Sequence, residues 1–175
     1  DQLKSDAAQT VTTLQGMGIT PWLVTGDSSE VAASVATTVG IDAAHVVSHA
    51  MPETKLEIVE RMKSQGHTVL MIGDGINDAA ALTAADLSMA MGTGTDTAIN
   101  SADITLMNTG LGSVISALKL SKKTLKIIRL NMGWAFIYNV IGLPIAAAGL
   151  LSPLYAAAAM AASSVLVVTN SLRIK

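Results

Sequence analysis

Three groups of polar residues have the types and spacing of a site that handles phosphate together with a divalent metal. Residues 25–27 read Thr-Gly-Asp, Lys55 stands three positions after Pro52, and residues 73–78 read Gly-Asp-Gly-Ile-Asn-Asp. Aspartate oxygens are hard ligands that hold Mg²⁺ beside a phosphate, and glycine lets the backbone approach a ligand closely. A lysine ammonium adds a compact positive charge. These residues therefore predict phosphate chemistry.

Each group also has a simpler interpretation. A single Thr-Gly-Asp is usually a turn followed by a helix cap. Lys55 lies among other charged residues of a predicted helix, which is typical of a solvated surface. Asp-Gly is itself a turn signal, but Asn77 and Asp78 exceed what a turn requires. The run at residues 73–78 is therefore the most specific of the three signals.

The periodicity of the first hundred residues indicates the elements that must position these groups. Apolar residues at three- and four-residue steps predict a helix over residues 3–17, and further helices are predicted from Ser28 to Gly40 and from Pro52 to Gly66. Short apolar runs predict strands, at residues 19–24, 69–72, 87–91 and 104–107. The run at residues 69–72 is continuously apolar, which predicts a strand buried on both faces. Strands that alternate with helices indicate a parallel sheet, whose ligands bind beyond the carboxyl ends of its strands. Both aspartate-containing groups follow predicted strands.

The last third of the chain is of a different kind. Residues 130–172 contain no Asp, Glu, Lys, Arg or His. A bilayer span needs roughly 20 apolar residues, so this run is long enough for two spans and a tight turn. All 13 acidic residues lie before residue 104, whereas seven of the 11 basic residues lie after it and flank the uncharged run. Under the positive-inside rule both ends of the predicted hairpin are cytosolic, with the turn at Ser152 and Pro153 on the far side.

Several classes of protein are disfavoured by composition. The chain has no cysteine, so it contains neither a disulfide framework nor a thiolate metal site. Aromatic residues make up 3% of the chain, which argues against a nucleic-acid reader built on stacking. The three histidines have no metal-ligand spacing and are expected at the surface or in loops: His45, His49 and His67. Because the chain begins without a signal peptide or an initiator Met, we expect it to be a piece of a longer protein.

The order of the motifs resembles one family. Thr25-Gly26-Asp27, then Pro52-x-x-Lys55, then residues 73–82 (Gly-Asp-Gly-Ile-Asn-Asp-Ala-Ala-Ala-Leu) resemble the distal half of the phosphorylation domain of P-type ATPases. The resemblance implies an α/β fold with a parallel sheet, of the haloacid-dehalogenase-like (Rossmann-like) type, followed by an α-helical transmembrane hairpin. One departure is Ser28, where the family often has Asn; either residue can cap a helix.

The resemblance also implies roles for the motif residues. Thr25 would hydrogen-bond the phosphoryl group, Lys55 would balance its charge and Asp74 would coordinate Mg²⁺, while Asn77 and Asp78 would organise phosphate, metal and Lys55. The expected catalytic set is Thr25, Gly26, Asp27, Lys55, Asp74, Asn77 and Asp78. Backbone contacts to the bound group are expected from Gly73 and Gly75, and Asp78 is a second expected Mg²⁺ ligand.

The family's phosphorylated aspartate lies in an Asp-Lys-Thr-Gly motif, which this sequence does not contain. The resemblance therefore implies that the nucleophile, the nucleotide-binding and actuator domains and the first membrane helices lie upstream in the same polypeptide. ATP would be the substrate of that whole protein. The chain alone is expected to be inactive.

The two predicted spans, residues 131–151 and 153–172, carry only neutral polar groups. Met160, Ser163 and Ser164 are spaced to share a helix face, and Pro144 is expected to kink the first span. A thioether is a soft ligand suited to Cu(I), whereas Zn²⁺ or Ca²⁺ would call for carboxylates. Met and Ser in such helices are also common as packing residues. Resemblance to copper-transporting P-type ATPases implies a pathway for the transported Cu(I) at Tyr138, Asn139, Met160 and Ser164.

The sequence thus predicts the C-terminal part of a Cu(I)-exporting P-type ATPase. Its expected parts are the distal phosphorylation domain (1–110), a basic cytosolic linking helix (111–129) and two transmembrane helices (130–175). We expect a multi-pass protein of the plasma membrane with a cytosolic soluble domain. Its expected partners are the lipid bilayer, its own upstream domains and a copper chaperone, with no nucleic acid. Two alternatives stay open, namely a P-type ATPase for another transition metal and a membrane-anchored phosphatase domain without transport.

Overall fold

The computed structural model describes residues 3–74, 76–108, 110–149 and 152–174, without the side chains of Ile76, Tyr138, Pro153 and Ala156. The chain divides into two compact units, Asp1–Ile115 and Ser116–Lys175. The first unit extends five residues beyond residue 110, the predicted limit of the soluble domain.

Three helices of the first unit occur where the sequence predicts them. Helix α1 spans Ala7–Gly16, α2 spans Ser29–Val39 and α3 spans Pro52–Ser64. Helix α2 shows the expected signals at both ends, because the Ser28 hydroxyl accepts a hydrogen bond from the Val31 N–H and Gly40 takes the left-handed conformation with φ of 82°. Proline at the first position of α3 needs no N–H partner there.

The strands form two separate parallel sheets. In the first, β1 (Leu23–Val24) pairs with β2 (Val46–Val47). In the second, β3 (Leu70–Gly73) pairs with β4 (Leu87–Met91), which pairs with β5 (Ile104–Leu106). Two short helices, α4 (Ala79–Ala84) and α5 (Asp96–Ser101), connect the strands of the second sheet.

The structure corrects the prediction in four places. The strand predicted at residues 19–24 is reduced to Leu23–Val24, and β2 and α5 were not predicted. The run at residues 69–72 was expected to be buried on both faces, but the corresponding β3 is half-buried through most of its length. The buried strand is β4, which has a partner on each side, whereas β3 has a partner on one side only among the described strands.

Small and medium apolar residues fill the core of the first unit. One cluster joins α4, β4 and α5 through Leu82, Ala90 and Ala98, each 1% exposed or less. A second cluster joins α1 and α2 through Ala7, Val11 and Val39, with Leu111 packed against it. The small alanine side chains allow α4 and α5 to pack closely against the second sheet.

The second unit consists almost entirely of helix. Helix α6 runs from Gly112 to Ala147, so the predicted linking helix and first span are parts of one helix, and α7 spans Pro153–Ser171. Among the described helices, α6 alone is long and apolar enough to cross a membrane by length and composition, and α7 contains a shorter apolar segment, Ala157–Ser171. The end of the predicted first span, residues 150–151, lies outside the described residues.

Candidate functional site

Lys55 and Asp78 form the best-defined contact among the predicted site residues. The Lys55 Nζ lies 2.6 Å from Asp78 Oδ1, and the two side chains are 17% and 9% exposed. Lys55 comes from the first turn of α3, whereas Asp78 ends the turn that follows β3. A half-buried lysine held by a buried carboxylate is not a solvated surface residue, so the simpler interpretation of Lys55 is wrong.

Asp78 also supports the backbone of the motif. Its Oδ2 lies 3.4 Å from the Asp74 N–H, and a Cβ added at Gly73 would come within 2.8 Å of Asp78 Cβ and Oδ2. Glycine is therefore required at position 73 by close approach, and any side chain there would displace the carboxylate that holds Lys55. Gly75, the other predicted backbone contact, lies outside the described residues.

Asp74 and Asn77 both have exposed side chains. Within the described part of the chain, the Asp74 carboxylate has no hydrogen bond or ion pair, in contrast to the engaged carboxylate of Asp78. An exposed carboxylate beyond the carboxyl end of a strand suits a hard divalent cation, so Asp74 fits Mg²⁺. No group of three or more His, Cys, Asp or Glu that could hold a metal occurs among the described residues, so Mg²⁺ would need further oxygens from phosphate, water or another segment.

Thr25, Gly26 and Asp27 form a compact turn after β1. The Thr25 hydroxyl donates to Asp27 Oδ2 at 2.8 Å and accepts from the Asp27 N–H at 3.2 Å. The loop after β2 is fastened to this turn, since the Ala50 N–H donates to the Thr25 carbonyl at 2.9 Å. To bind a phosphoryl oxygen, the Thr25 hydroxyl would exchange its bond to Asp27 for one to the ligand.

The start of α2, next to this turn, already carries a negative charge. The pKa of Glu30 is lowered by its own backbone N–H and then by the Ser28 hydroxyl. The N-terminus of α2 therefore stabilises a side-chain carboxylate, which reduces its attraction for a second anion.

The structure brings the predicted residues together in two sets. Lys55, Asp74 and Asp78 share one set of contacts, and Thr25 and Asp27 share another. In the described residues no hydrogen bond or ion pair joins the two sets. The loop after β2 links the two sets, because Ala50 bonds to the Thr25 carbonyl and α3, which carries Lys55, begins two residues later.

One loop that contacts the site was not predicted from the sequence. Residues 92–95 (Gly-Thr-Gly-Thr) follow β4, and the Thr95 N–H donates to the Asp74 carbonyl at 3.0 Å. Two glycines directly after a predicted strand were the available signal, because the same carboxyl-end rule that selected residues 73–78 applies to them.

The predicted ion-pathway residues lie in the second unit. Met160 is 65% exposed, and Ser164 is exposed with its hydroxyl bonded to the Met160 carbonyl within α7. The Asn139 amide donates to the Ala135 carbonyl of its own helix. Ser163, predicted on the same face as Met160, is half-buried instead. The side chain of Tyr138 lies outside the described part of the structure.

Comparison with known proteins identifies relatives along the whole chain. A family model described as haloacid dehalogenase-like hydrolase matches residues 1–86. The cation-transporting P-type ATPase B of Mycobacterium tuberculosis is 51% identical over 175 residues, which are 100% of this chain and 23% of that protein. The copper-exporting P-type ATPase of the same organism is 50% identical with the same coverage. The probable copper-importing P-type ATPase A of Enterococcus hirae is 49% identical over 172 residues, 98% of this chain and 24% of that protein.

A solved structure shares the fold. The crystal structure of a zinc-transporting PIB-type ATPase in the E2.Pi state is 33% identical, with a TM-score of 0.91 over 99% of this chain and 28% of that one. The predicted haloacid-dehalogenase-like α/β fold followed by a helical hairpin is confirmed. The chain spans about a quarter of the length of the curated relatives it matches. With identity near one half along its entire length to proteins of this kind, the chain belongs to the P-type ATPase family.

Proposed function

We propose that this chain is the C-terminal part of an ATP-driven Cu(I) exporter that couples aspartyl phosphorylation to metal movement across a membrane. The observation that carries the choice of metal is the donor set of α7. Met160 and Ser164 are four residues apart, both exposed, in a segment without a charged residue. A thioether favours Cu(I), and an uncharged helix offers no carboxylate for a harder divalent ion.

The first unit would contribute the phosphoryl-transfer half of the cycle. Asp78 holds the Lys55 ammonium in a fixed position, from which its charge can stabilise phosphoryl oxygens. Because the side chain is already held, it loses less mobility on binding than a free lysine would. The exposed Asp74 carboxylate would hold Mg²⁺, which supplies charge neutralisation to the phosphoryl oxygens. The Thr25 hydroxyl would donate to one of them. The phosphorylated aspartate would come from the upstream part of the polypeptide.

The second unit would contribute the membrane half. We propose that the apolar part of α6 and α7 span the plasma membrane as a hairpin, that the basic residues 119–129 lie on the cytosolic side, and that Tyr138, Asn139, Met160 and Ser164 line the ion pathway. The proposed domain limits stay 1–110, 111–129 and 130–175. Relatives named as copper-exporting and copper-importing are about equally similar to this chain, so sequence similarity does not favour export over import.

The decisive experiment replaces Met160 with Ala in the intact ATPase. We expect Cu(I)-stimulated ATP hydrolysis to fall at least tenfold, because a soft ligand is lost. Met132→Ala is the matched control, since Met132 is 64% exposed on α6 against 65% for Met160, and it should keep the stimulation. Undiminished Cu(I) stimulation in the Met160→Ala protein would overturn the copper assignment. Inside-out vesicles give the direction, since export predicts Cu(I) accumulation.

Two further outcomes separate the alternatives. Stimulation by Zn²⁺ in place of Cu(I) would favour another transition metal, as the likeness to a zinc-transporting ATPase allows. Hydrolysis of phosphate esters by the isolated chain, without any acylphosphate in the intact protein, would favour a phosphatase domain, as the match to a hydrolase family allows. Under our proposal the isolated chain hydrolyses neither phosphate esters nor ATP. A soluble copper chaperone as donor is tested separately by metal transfer to the intact protein.

A further inference from the structure

The main chain of Asp74 is held on both sides while its side chain is left exposed. On one side the Asp74 N–H faces Asp78 Oδ2 at 3.4 Å, and on the other the Asp74 carbonyl accepts a hydrogen bond from the Thr95 N–H at 3.0 Å. The contact to Asp78 is long for a hydrogen bond, so the bond from Thr95 is the stronger of the two restraints. A carboxylate on a fixed backbone loses less conformational freedom when it binds a ligand.

Thr95 can reach Asp74 because the preceding residues pass unusually close to it. A Cβ added at Gly94 would lie 2.7 Å from the Asp74 carbonyl oxygen and 2.8 Å from that of Met91. The loop is also tied to its own sheet, since the Gly92 N–H donates to Leu106 and the Gly94 N–H donates to Met91, both at 2.7 Å. Close approach therefore accounts for glycine at position 94.

We propose that the turn formed by Gly94 and Thr95 is a positioning element for the metal-binding carboxylate of Asp74. It acts through the main chain, by donating the Thr95 N–H to the Asp74 carbonyl, and it connects the loop after β4 to the loop after β3. The inference rests on the proposed function, because it takes Asp74 to be the Mg²⁺ ligand. It adds two residues outside the motif on which that function depends.

The test compares two substitutions of Thr95 in the intact ATPase. Thr95→Pro removes the N–H and fits the local backbone, since φ at this position is −72° and the preceding residue is glycine. It also removes the hydroxyl that accepts a bond from the Ala98 N–H at the start of α5, so Thr95→Ala, which loses the same hydroxyl and keeps the N–H, is the matched control. Any difference in metal binding between the two variants, beyond the general effects of proline, therefore reports the hydrogen bond from residue 95 to Asp74.

The experiment measures binding of Mn²⁺, which serves as a probe for Mg²⁺. The electron paramagnetic resonance signal of the free ion reports how much Mn²⁺ remains unbound. We expect Thr95→Pro to raise the half-saturating Mn²⁺ concentration about tenfold, as is common when a group supporting a ligand is lost, and Thr95→Ala to leave it unchanged. Asp74→Asn is the reference variant, because it shows the Mn²⁺ binding that remains when the metal site is lost. The Mg²⁺ concentration needed for phosphoenzyme formation should rise in parallel.

A second pair of variants covers the case in which proline prevents folding. Gly94→Ala and Gly92→Ala each place a Cβ 2.7 Å from a carbonyl oxygen, that of Asp74 for the first and that of Leu106 for the second. Both should lower the melting temperature, but only Gly94→Ala should weaken Mn²⁺ binding. Equal Mn²⁺ affinity within both pairs, with Asp74→Asn still abolishing binding, would overturn the positioning role alone. Unchanged binding in Asp74→Asn would overturn the metal assignment in the proposed function and this inference with it.

Discussion

The carboxylate of Asp6 accepts a hydrogen bond from the backbone N–H of Gly112 at 2.8 Å, although the two residues are 106 positions apart. Gly112 is the first residue of α6, whose initial N–H groups have no partner within the helix. A Cβ at Gly110 would lie 2.7 Å from Asp6 Oδ2, and Leu111 packs against the apolar cluster of α1 and α2. Asp6 therefore fastens the first turn of α6 to the start of α1, within the first unit.

Replacing Asp6 with Ala should loosen that turn. We expect the Gly112 amide to exchange with deuterium about fivefold faster, since a capping side chain contributes about 1 kcal/mol. Asp42→Ala is the control, because Asp42 accepts the same kind of bond from the Ala44 N–H, also at 2.8 Å, elsewhere in the unit. Unchanged exchange at Gly112 in the Asp6→Ala chain would show that the contact does not hold the turn.

The same contact makes the turn sensitive to acid. The backbone N–H of Gly112 lowers the pKa of Asp6 below its ordinary value of 3.8. Because the folded state favours the charged carboxylate, the stabilisation is complete above the ordinary pKa and is lost as the pH falls through the lowered one. At each pH, the exchange rate of Gly112 in Asp6→Asn should be compared with the wild type. The ratio should be constant above about pH 4 and fall towards one in stronger acid, whereas a ratio independent of pH would exclude the carboxylate.

Local signals explain which parts of the fold the sequence could predict. Helix α2 has a serine before it and a glycine after it, and both act within a few residues, so its ends agree with the prediction within one position. The division of the strands into two sheets depends on which distant strands pair, which a run such as Leu70–Gly73 does not encode. The apolar pattern of β3 therefore predicted a strand correctly and its depth of burial wrongly.

The candidate site shows the same limit. The motif at residues 73–78 is contiguous, so its Asp74 and Asp78 could be singled out directly. The partner of Asp78 is 23 positions away on α3, and charge pattern alone favoured a solvated Lys55. Thr95 was missed because it acts through its backbone N–H, which every residue except proline carries and which no side-chain pattern reveals.

Removing only one residue of the Lys55 and Asp78 pair should destabilise the protein more than removing both. Lys55→Met leaves the buried Asp78 carboxylate without its cation. Asp78→Leu leaves the Lys55 ammonium, whose side chain is 17% exposed, without its carboxylate. Breaking one side of such a pair costs about 3 kcal/mol, whereas replacing both sides with apolar groups costs much less. We therefore expect the double variant to be more stable than either single variant.

Tryptophan fluorescence can measure this in the first unit by itself. The chain has two tryptophans, and in a Trp134→Phe background the remaining Trp22 reports unfolding of the first unit in urea. Lys63 and Asp86 serve as the control pair, since they lie 3.2 Å apart with both side chains 35% exposed, and their coupling should be below about 1 kcal/mol. Additive effects of Lys55→Met and Asp78→Leu would contradict the prediction.

A polar cluster joins the two helices of the second unit. The Asn170 amide donates to Asn131 Oδ1 at 2.7 Å, and the Asn131 amide donates to the Ser171 hydroxyl at 3.0 Å. The Ser171 hydroxyl in turn donates to the Val167 carbonyl of its own helix at 2.8 Å. Most other large side chains of these helices are apolar, so the cluster fixes the register of α7 against α6 at one level.

Asn131→Ala should therefore weaken the pairing of α6 with α7 more than Asn139→Ala does. Both residues lie on α6, but the Asn139 amide bonds to Ala135 of its own helix, so its loss removes no bond between helices. Two interhelical bonds at about 0.6 kcal/mol each predict a loss of about 1 kcal/mol for Asn131→Ala. Deuterium exchange at the C-terminal turn of α7, measured in detergent, should accelerate about fivefold in Asn131→Ala and remain unchanged in Asn139→Ala. Equal exchange in the two variants would mean that apolar packing alone sets the register.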